Sequence, residues 1–232
     1  MAKKGLVTLR QAQGLYPVRS RRIKKGIFIT FEGIEGCGKS THSKLLYGYL
    51  KERGFDCVHT REPGGTKAGE RIRDVLLHSD GTRISDLTEM LLFEAARSQI
   101  VEEIIHPALE RKKIVICDRF SDATRSYQGY GGGVKLDIIE AVNRIASRGT
   151  EPDLTILLDI DTATGLKRAK AKGIDRMEAK NISYHEKVRS GYLKLAKKYP
   201  GRIKVVKVAR SVAGTQEKVR EEADIVIQKY SK

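Results

Sequence analysis

Hydrophobic and polar positions follow two rhythms along this chain. Five short β-branched or apolar runs bounded by turn formers read as buried strands, at residues 27–31, 57–60, 114–117, 154–158 and 203–208. Between them apolar residues recur at helical spacing. Helices are expected at 39–53, closing at Gly54, then at 70–78, 86–111, 135–148, 162–172, 182–198 and 216–228. The third of these opens with Asp86 and Glu89 in capping-box spacing and contains Pro107, where a kink is expected. Strand and helix alternate with no dividing linker. That order predicts an α/β fold, a five-stranded parallel sheet flanked by helices on both faces.

Composition narrows the class. The 232 residues suffice for one such domain, and 40% hydrophobic with 32% charged residues is too apolar for wholesale disorder and too charged for a membrane bundle. No apolar run approaches the ~20 residues a spanning helix needs, so no membrane partner is expected. The net charge of +16 suggests nucleic acid until the charges are located. Lys3, Lys4, Arg10, Arg19, Arg21, Arg22, Lys24 and Lys25 fall in the first 25 residues, which hold no Asp or Glu. The remaining mild basic excess suits small polyanions as well as DNA. Residues 1–24 are therefore expected to form a flexible basic arm, and 25–232 the domain. An organelle transit peptide would share the acid-free, Arg-bearing character, but Ser is sparse here. Cysteines at 37, 57 and 117 form no CxxC pair, and the histidines form no HxxxH, which argues for a reducing, cytoplasmic compartment and against zinc.

The first strand runs into Gly33-Ile34-Glu35-Gly36-Cys37-Gly38-Lys39-Ser40, followed by Thr41 and a helix. This is GxxxxGKS in its required setting. Its glycines let successive N–H groups turn toward phosphate oxygens, and the helix N-terminus adds partial positive charge. Lys39 is expected to reach the β- and γ-phosphates of a nucleoside triphosphate, and the Ser40 hydroxyl to ligate Mg2+. Asp118, where the third strand ends, is placed to supply the carboxylate on the metal side. The Asp-x-x-Gly switch and Asn-Lys-x-Asp reader of a GTPase are missing. Instead Arg119, Thr124, Tyr127 and Gln128 follow, with Gly131, Gly132 and Gly133 beyond, so a cation, hydroxyls and an amide are expected on a loop outside a strand's carboxyl end.

Three runs occur in order: Phe31-Glu32-Gly33 through Thr41, Thr60-Arg61-Glu62-Pro63-Gly64-Gly65-Thr66, and Asp118-Arg119-Phe120 through Tyr127-Gln128-Gly129. Together they resemble the thymidylate kinase family, and the resemblance covers residues 25–232. It implies phosphorylation of dTMP by ATP with Mg2+ in dTTP synthesis, in a cytoplasmic homodimer. By the same resemblance Phe93 stacks on thymine, and Arg97, one turn along the same helix face, reads the base edge or the monophosphate. Arg73 and Arg119 hold the acceptor phosphate, Gln128 and Thr124 lie near base and sugar, and Tyr127 crowds the 2′ position. Glu32 corresponds to an acidic residue near metal and acceptor phosphate, and Pro63 to a proline preceded by a cis bond. Ala123 departs from the pattern, since relatives commonly carry Ser there.

The phosphate loop has no arginine at its variable positions, Ile34, Glu35, Gly36 and Cys37, so a transition-state cation must come from elsewhere. The basic run in 167–180 resembles the lid of bacterial-type enzymes. It leaves Arg168, Lys172 and Arg176 as alternatives, with Arg176, in an Asp-Arg-x-Glu pattern, the first choice. Two rival functions stand beside this reading: a kinase for another nucleoside monophosphate, and a P-loop ATPase that binds nucleic acid through the basic arm.

Overall fold

The computed structural model describes residues 21, 23–78, 83–171 and 175–231. Strands β1 (Ile27–Glu32), β2 (Cys57–Arg61), β3 (Ile114–Asp118), β4 (Leu154–Asp159) and β5 (Ile203–Lys207) form one sheet in the order β2-β3-β1-β4-β5. All four pairings are parallel. The helices are α1 (Lys39–Glu52), α2 (Lys67–Leu77), α3 (Asp86–Ile100), α4 (His106–Glu110), α5 (Ser121–Thr124), α6 (Leu136–Ala146), α7 (Thr162–Lys170), α8 (Ile182–Lys198) and α9 (Val212–Tyr230).

A parallel sheet covered on both sides needs apolar residues on both faces of its strands. The central strand β1 supplies them in alternation. Ile27, Ile29 and Phe31 belong to a core with Leu46 of α1, Val188 of α8 and Val219 of α9, whereas Phe28 packs with Ile100, Val101 and Ile105 on the other side. Side chains such as Ile29 and Ile116 are 0% exposed, and burying each contributes about 1.5–3 kcal/mol.

Local chemistry shifts several helix boundaries. Thr66 caps α2 by accepting from the Gly69 N–H, and Ser211 caps α9 through Gly214, so both helices start earlier than expected. The N-cap of α3 is Ser85, whose hydroxyl accepts from Thr88 N–H, so the Asp86 and Glu89 spacing does not form the capping box. The single helix expected over 86–111 is interrupted by a π-helical turn at Val101–Ile105, immediately ahead of Pro107, whose nitrogen has no hydrogen to donate. The stretch after β3, expected as a loop, is helical: α5 continues into a π-helical turn at Arg125–Gly131.

Of the basic N-terminal stretch, residues 1–20 and 22 lie outside the described residues. Ile23 is buried in the core, and Lys25 pairs with Asp153 at 2.6 Å. The carboxyl ends of β1, β2 and β3 bring Glu32, Arg61 and Asp118 to one edge, with both Phe31 and Arg61 in register with Asp118. Ligands bind along such an edge in open α/β sheets.

Candidate active site

The phosphate loop leaves β1 at Gly33, with φ +135°, and enters α1 through Gly38, with φ +97°. Gly38 is the N-cap and places no side chain over the first turn of α1, so the helix start stays open to an anion. Lys39 Nζ donates to the carbonyls of Gly33 at 3.1 Å and Ile34 at 2.8 Å, which folds its amine back over the loop. Cys37, inside the loop, is buried, and burial raises its thiol pKa. Ser40 Oγ donates to Asp118 Oδ2, so the two residues expected on the metal side are neighbours. A hydroxyl, one carboxylate and room for phosphate oxygens suit a hard divalent cation. Among the described residues no three His, Cys, Asp or Glu side chains gather as ligands. Thr41 follows at the exposed start of α1.

Glu35 does something the loop pattern did not suggest. Its side chain turns away from the phosphate cradle into a buried polar cluster. Oε1 accepts from Tyr127 OH at 2.5 Å and from Arg119 Nη2 at 3.1 Å, while His185 Nδ1 of α8 stands 3.2 Å from Oε2. Burial opposes ionisation, but His185, Arg119, Lys39 and Tyr127 outweigh it and hold the carboxyl at about 2.

Arg119 is the seam of the site. It follows β3 with φ +72°, a left-handed conformation uncommon for a long side chain, fixed by its N–H to Phe31 O at 3.0 Å. Its guanidinium donates to Gly33 O in the phosphate loop and to Tyr192, Glu35 and Tyr127, lying over the Tyr127 ring at 4.7 Å. Glu32 lies beneath, accepting from Phe120 N–H at 2.7 Å and Tyr192 OH at 2.6 Å. Burial, reinforced by Asp122, raises its carboxyl to about 7. Glu32 is wholly buried and does not reach the pocket wall; its link to the pocket runs through the Tyr192 hydroxyl, which accepts from Arg119.

The pocket itself brings together Arg73, Phe93, Arg97, Arg119, Thr124, Tyr127 and Gln128, from α2, α3, the β3 edge and the helical stretch behind it. Phe93 and Arg97 do share a face, but Arg97 is 1% exposed and most of its donors are committed. Nε and Nη2 engage Glu62, and Nη1 serves Glu94, Thr124 and Asn143. Since a guanidinium has five N–H donors, one on Nη2 has no partner among the described residues. Arg73 donates to Pro63 O at 3.0 Å, and the Glu62–Pro63 bond is cis as expected.

The lid residues separate. A methyl group at Gly36 would collide with the Gly165 carbonyl and approach Arg168 Cβ to 3.1 Å, so α7 packs on the phosphate loop and carries Arg168 beside it. Lys172 lies outside the described residues. Of residues 175–180, Asp175 and Met177 stand in the pocket wall. Arg176, the first choice from sequence, pairs with Glu89 at 2.7 Å and donates to Leu76 O at 2.8 Å, which ties it to α3 and α2. Sequence reasoning missed Glu62, Glu94, His185 and Tyr192. The last two had a signal, since His185, Val188, Tyr192 and Leu195 make one buried stripe on α8 at helical spacing.

A parallel sheet in this order, with a glycine-rich loop feeding α1 and a second, basic pocket one residue beyond β3, defines a P-loop nucleotide kinase. Comparisons with known proteins give the particular family. The thymidylate kinase family model matches residues 31–219. The chain is 53% identical over 166 residues to a thymidylate kinase of Dehalococcoides mccartyi, covering 72% of this chain and 80% of that one. It is 45% identical over 208 residues to a thymidylate kinase of Thermoanaerobacter sp., covering 89% and 99%. A crystal structure of thymidylate kinase from Ehrlichia chaffeensis superposes with a TM-score of 0.70 at 36% identity, over 86% of this chain and 99% of that one. The chain belongs to the thymidylate kinase family, and is thus an ATP-using phosphotransferase of nucleotide biosynthesis. Among the described residues no helix is long and apolar enough to cross a membrane.

Proposed function

We propose that this chain carries out the reaction its family is named for: transfer of the γ-phosphoryl group of ATP to dTMP, giving ADP and dTDP, with Mg2+ as the metal. An oxygen of the dTMP phosphate attacks the γ-phosphorus as the bond to the β–γ bridging oxygen breaks, and ADP leaves. The observation that carries this reading is Arg119, whose one guanidinium touches both the phosphate loop and the acceptor pocket. A cation at that seam sits where donor and acceptor phosphates meet. The residues from Gly33 to Thr41 cradle ATP, with Lys39 on its phosphates. Ser40 and Asp118, which are hydrogen-bonded to each other, would hold the metal, and it would neutralise phosphate charge when bound. Phe93 stacks on the base, Gln128 faces its edge, and Tyr127 with Thr124 lines the sugar. Arg73, Arg97 and Arg119 draw in the acceptor phosphate.

Among the lid cations, the packing of α7 on Gly36 favours Arg168 for the transferring group, with Arg176 holding the lid over the acceptor. A homodimer through α3 and α6, two helices that pack on each other, is supported by exposed Leu87 and Leu91 on the first and Ile138 and Ile145 on the second. Free, buried Cys37, Cys57 and Cys117 support a reducing, cytoplasmic setting. The test is an acceptor panel with ADP release as readout. Turnover with dTMP should exceed that with dUMP, CMP, AMP and GMP and be indifferent to added DNA. Preference for another acceptor, or stimulation by nucleic acid with steep salt dependence, overturns the proposal.

A further inference from the structure

Glu89 lies in the first turn of α3, off the pocket wall, and is 1% exposed. Its carboxylate gathers groups from two other parts of the chain. Gln128 Nε2, from the π-helical turn behind β3, donates to Oε1 at 2.8 Å. Arg176 Nη1 stands 2.7 Å from Oε2, and Lys180 Nζ 3.4 and 3.5 Å from the two oxygens. A carboxylate flanked by two cations only accepts hydrogen bonds. Gln128 must therefore turn its NH2 toward Glu89, and its planar amide then carries Oε1 to the other side. Gln128 is 2% exposed and helps line the acceptor pocket, and no described residue donates to its Oε1. Left to itself a glutamine amide flips between two orientations of nearly equal shape and opposite hydrogen-bonding character. Glu89 removes that choice.

We infer that Glu89 is a positioning residue for base selection: by pinning the Gln128 amide it makes the pocket wall a hydrogen-bond acceptor. This rests on the base lying against Phe93 and Gln128. Thymine and uracil present an N3–H donor to such a wall, whereas cytosine presents an N3 lone pair and faces acceptor with acceptor. A buried polar group left unpaired by the wrong ligand is a strong source of rejection.

The test is Glu89→Gln in the full chain, with kcat/KM for dTMP, dUMP and dCMP at saturating ATP. A neutral amide at 89 accepts or donates, so the Gln128 amide is free to flip. The dTMP to dCMP preference should fall at least tenfold, while the dTMP to dUMP ratio stays within twofold, which general loosening of the pocket does not produce. Glu89→Asp, still only an acceptor, should restore the dCMP rejection. Lys180→Met, which strips a cation from Glu89 without touching Gln128, should leave the preference unchanged. A dCMP rejection within twofold of wild type in Glu89→Gln overturns the inference, as does an equal loss in Lys180→Met. Gln128→Leu separates the two levels of the argument. If it too leaves rejection intact, the base is not at Gln128 and the placement falls along with the inference; if it abolishes rejection while Glu89→Gln does not, only the inference falls. Should Glu89→Gln not fold, Gln128→Asn, whose amide is too short to keep the Glu89 contact, should show the same tenfold loss, and retained rejection overturns the inference.

Discussion

The phosphate loop and the acceptor pocket share one edge of the sheet and are built in opposite ways. The loop is a contiguous run, Gly33 to Ser40, whose chemistry resides in backbone N–H groups and two side chains, and whose shape is fixed by glycines at positive φ. The pocket is assembled from side chains that the chain supplies from Glu35 to Met177, and its buried arginines Arg97 and Arg119 are oriented by further side chains. Arg97 is held by Glu62, Glu94, Thr124 and Asn143, and Arg119 by Glu35, Tyr127 and Tyr192. A backbone cradle tolerates change around it as long as its dihedrals persist. A side-chain cradle is only as well placed as its supports, so its defects should appear in stability and acceptor binding together.

Breaking the most buried support should have the largest effect. Arg97→Met leaves Glu62 and Glu94 buried without their cation, and we expect a loss of about 3–5 kcal/mol in urea unfolding. A stability change below about 1 kcal/mol would show that the pocket does not depend on this cluster. The next test uses the two carboxylates of the loop region, whose shifts have opposite signs. Glu35 titrates at about 2 in the fold against an ordinary 4.5. Its contribution, on the order of 3 kcal/mol, is fully present above pH 4.5 and lost as pH falls toward 2. The stability gap between wild type and Glu35→Gln should accordingly be widest near neutrality and narrow over that window. Glu32, raised to about 7 from 4.5, binds its proton more tightly folded than unfolded, so it lowers stability as pH rises from 4.5 to 7. Glu32→Gln should flatten that decline.

Smaller effects sharpen the division between donor and acceptor sides. Arg168→Ala should lower kcat about 100-fold, about 2.7 kcal/mol, with KM for dTMP nearly unchanged, whereas Arg176→Ala should act mainly on acceptor KM. The reverse pattern in single-turnover measurements would return the catalytic cation to Arg176. Phe93→Ala should raise KM for dTMP by about 1–3 kcal/mol, as base–aromatic stacking does, and leave KM for ATP alone. Equal losses for both substrates would make Phe93 a packing residue. Smallest of all, removing residues 2–20 should change kcat and both KM values less than threefold, under about 0.7 kcal/mol.

Much of this was legible in the residues themselves. The parallel α/β order follows from five apolar runs at strand length between helical patterns, because strands buried on both faces admit little else. The phosphate loop was legible for the same reason that it is compact: its function is carried by φ-permissive glycines and one Lys-Ser pair adjacent in sequence. Asp118 followed from its place at a strand end, and the structure sets it beside Ser40. What only the tertiary structure decided was where long side chains spend their donors and charges. Glu35 reads in sequence as one more loop position, yet folding turns it onto Arg119, Tyr127 and His185. Glu89 reads as half of a capping box, and packing gives the cap to Ser85 and the carboxylate to Gln128, Arg176 and Lys180. Arg176 is the first choice in the basic run by its Asp-Arg-x-Glu pattern, yet packing lays Arg168 beside Gly36 and ties Arg176 to Glu89. Backbone conformation is set by neighbours along the chain and is written in local sequence. The pairing of buried charges is set by desolvation, whose cost exists only once distant segments have closed around them.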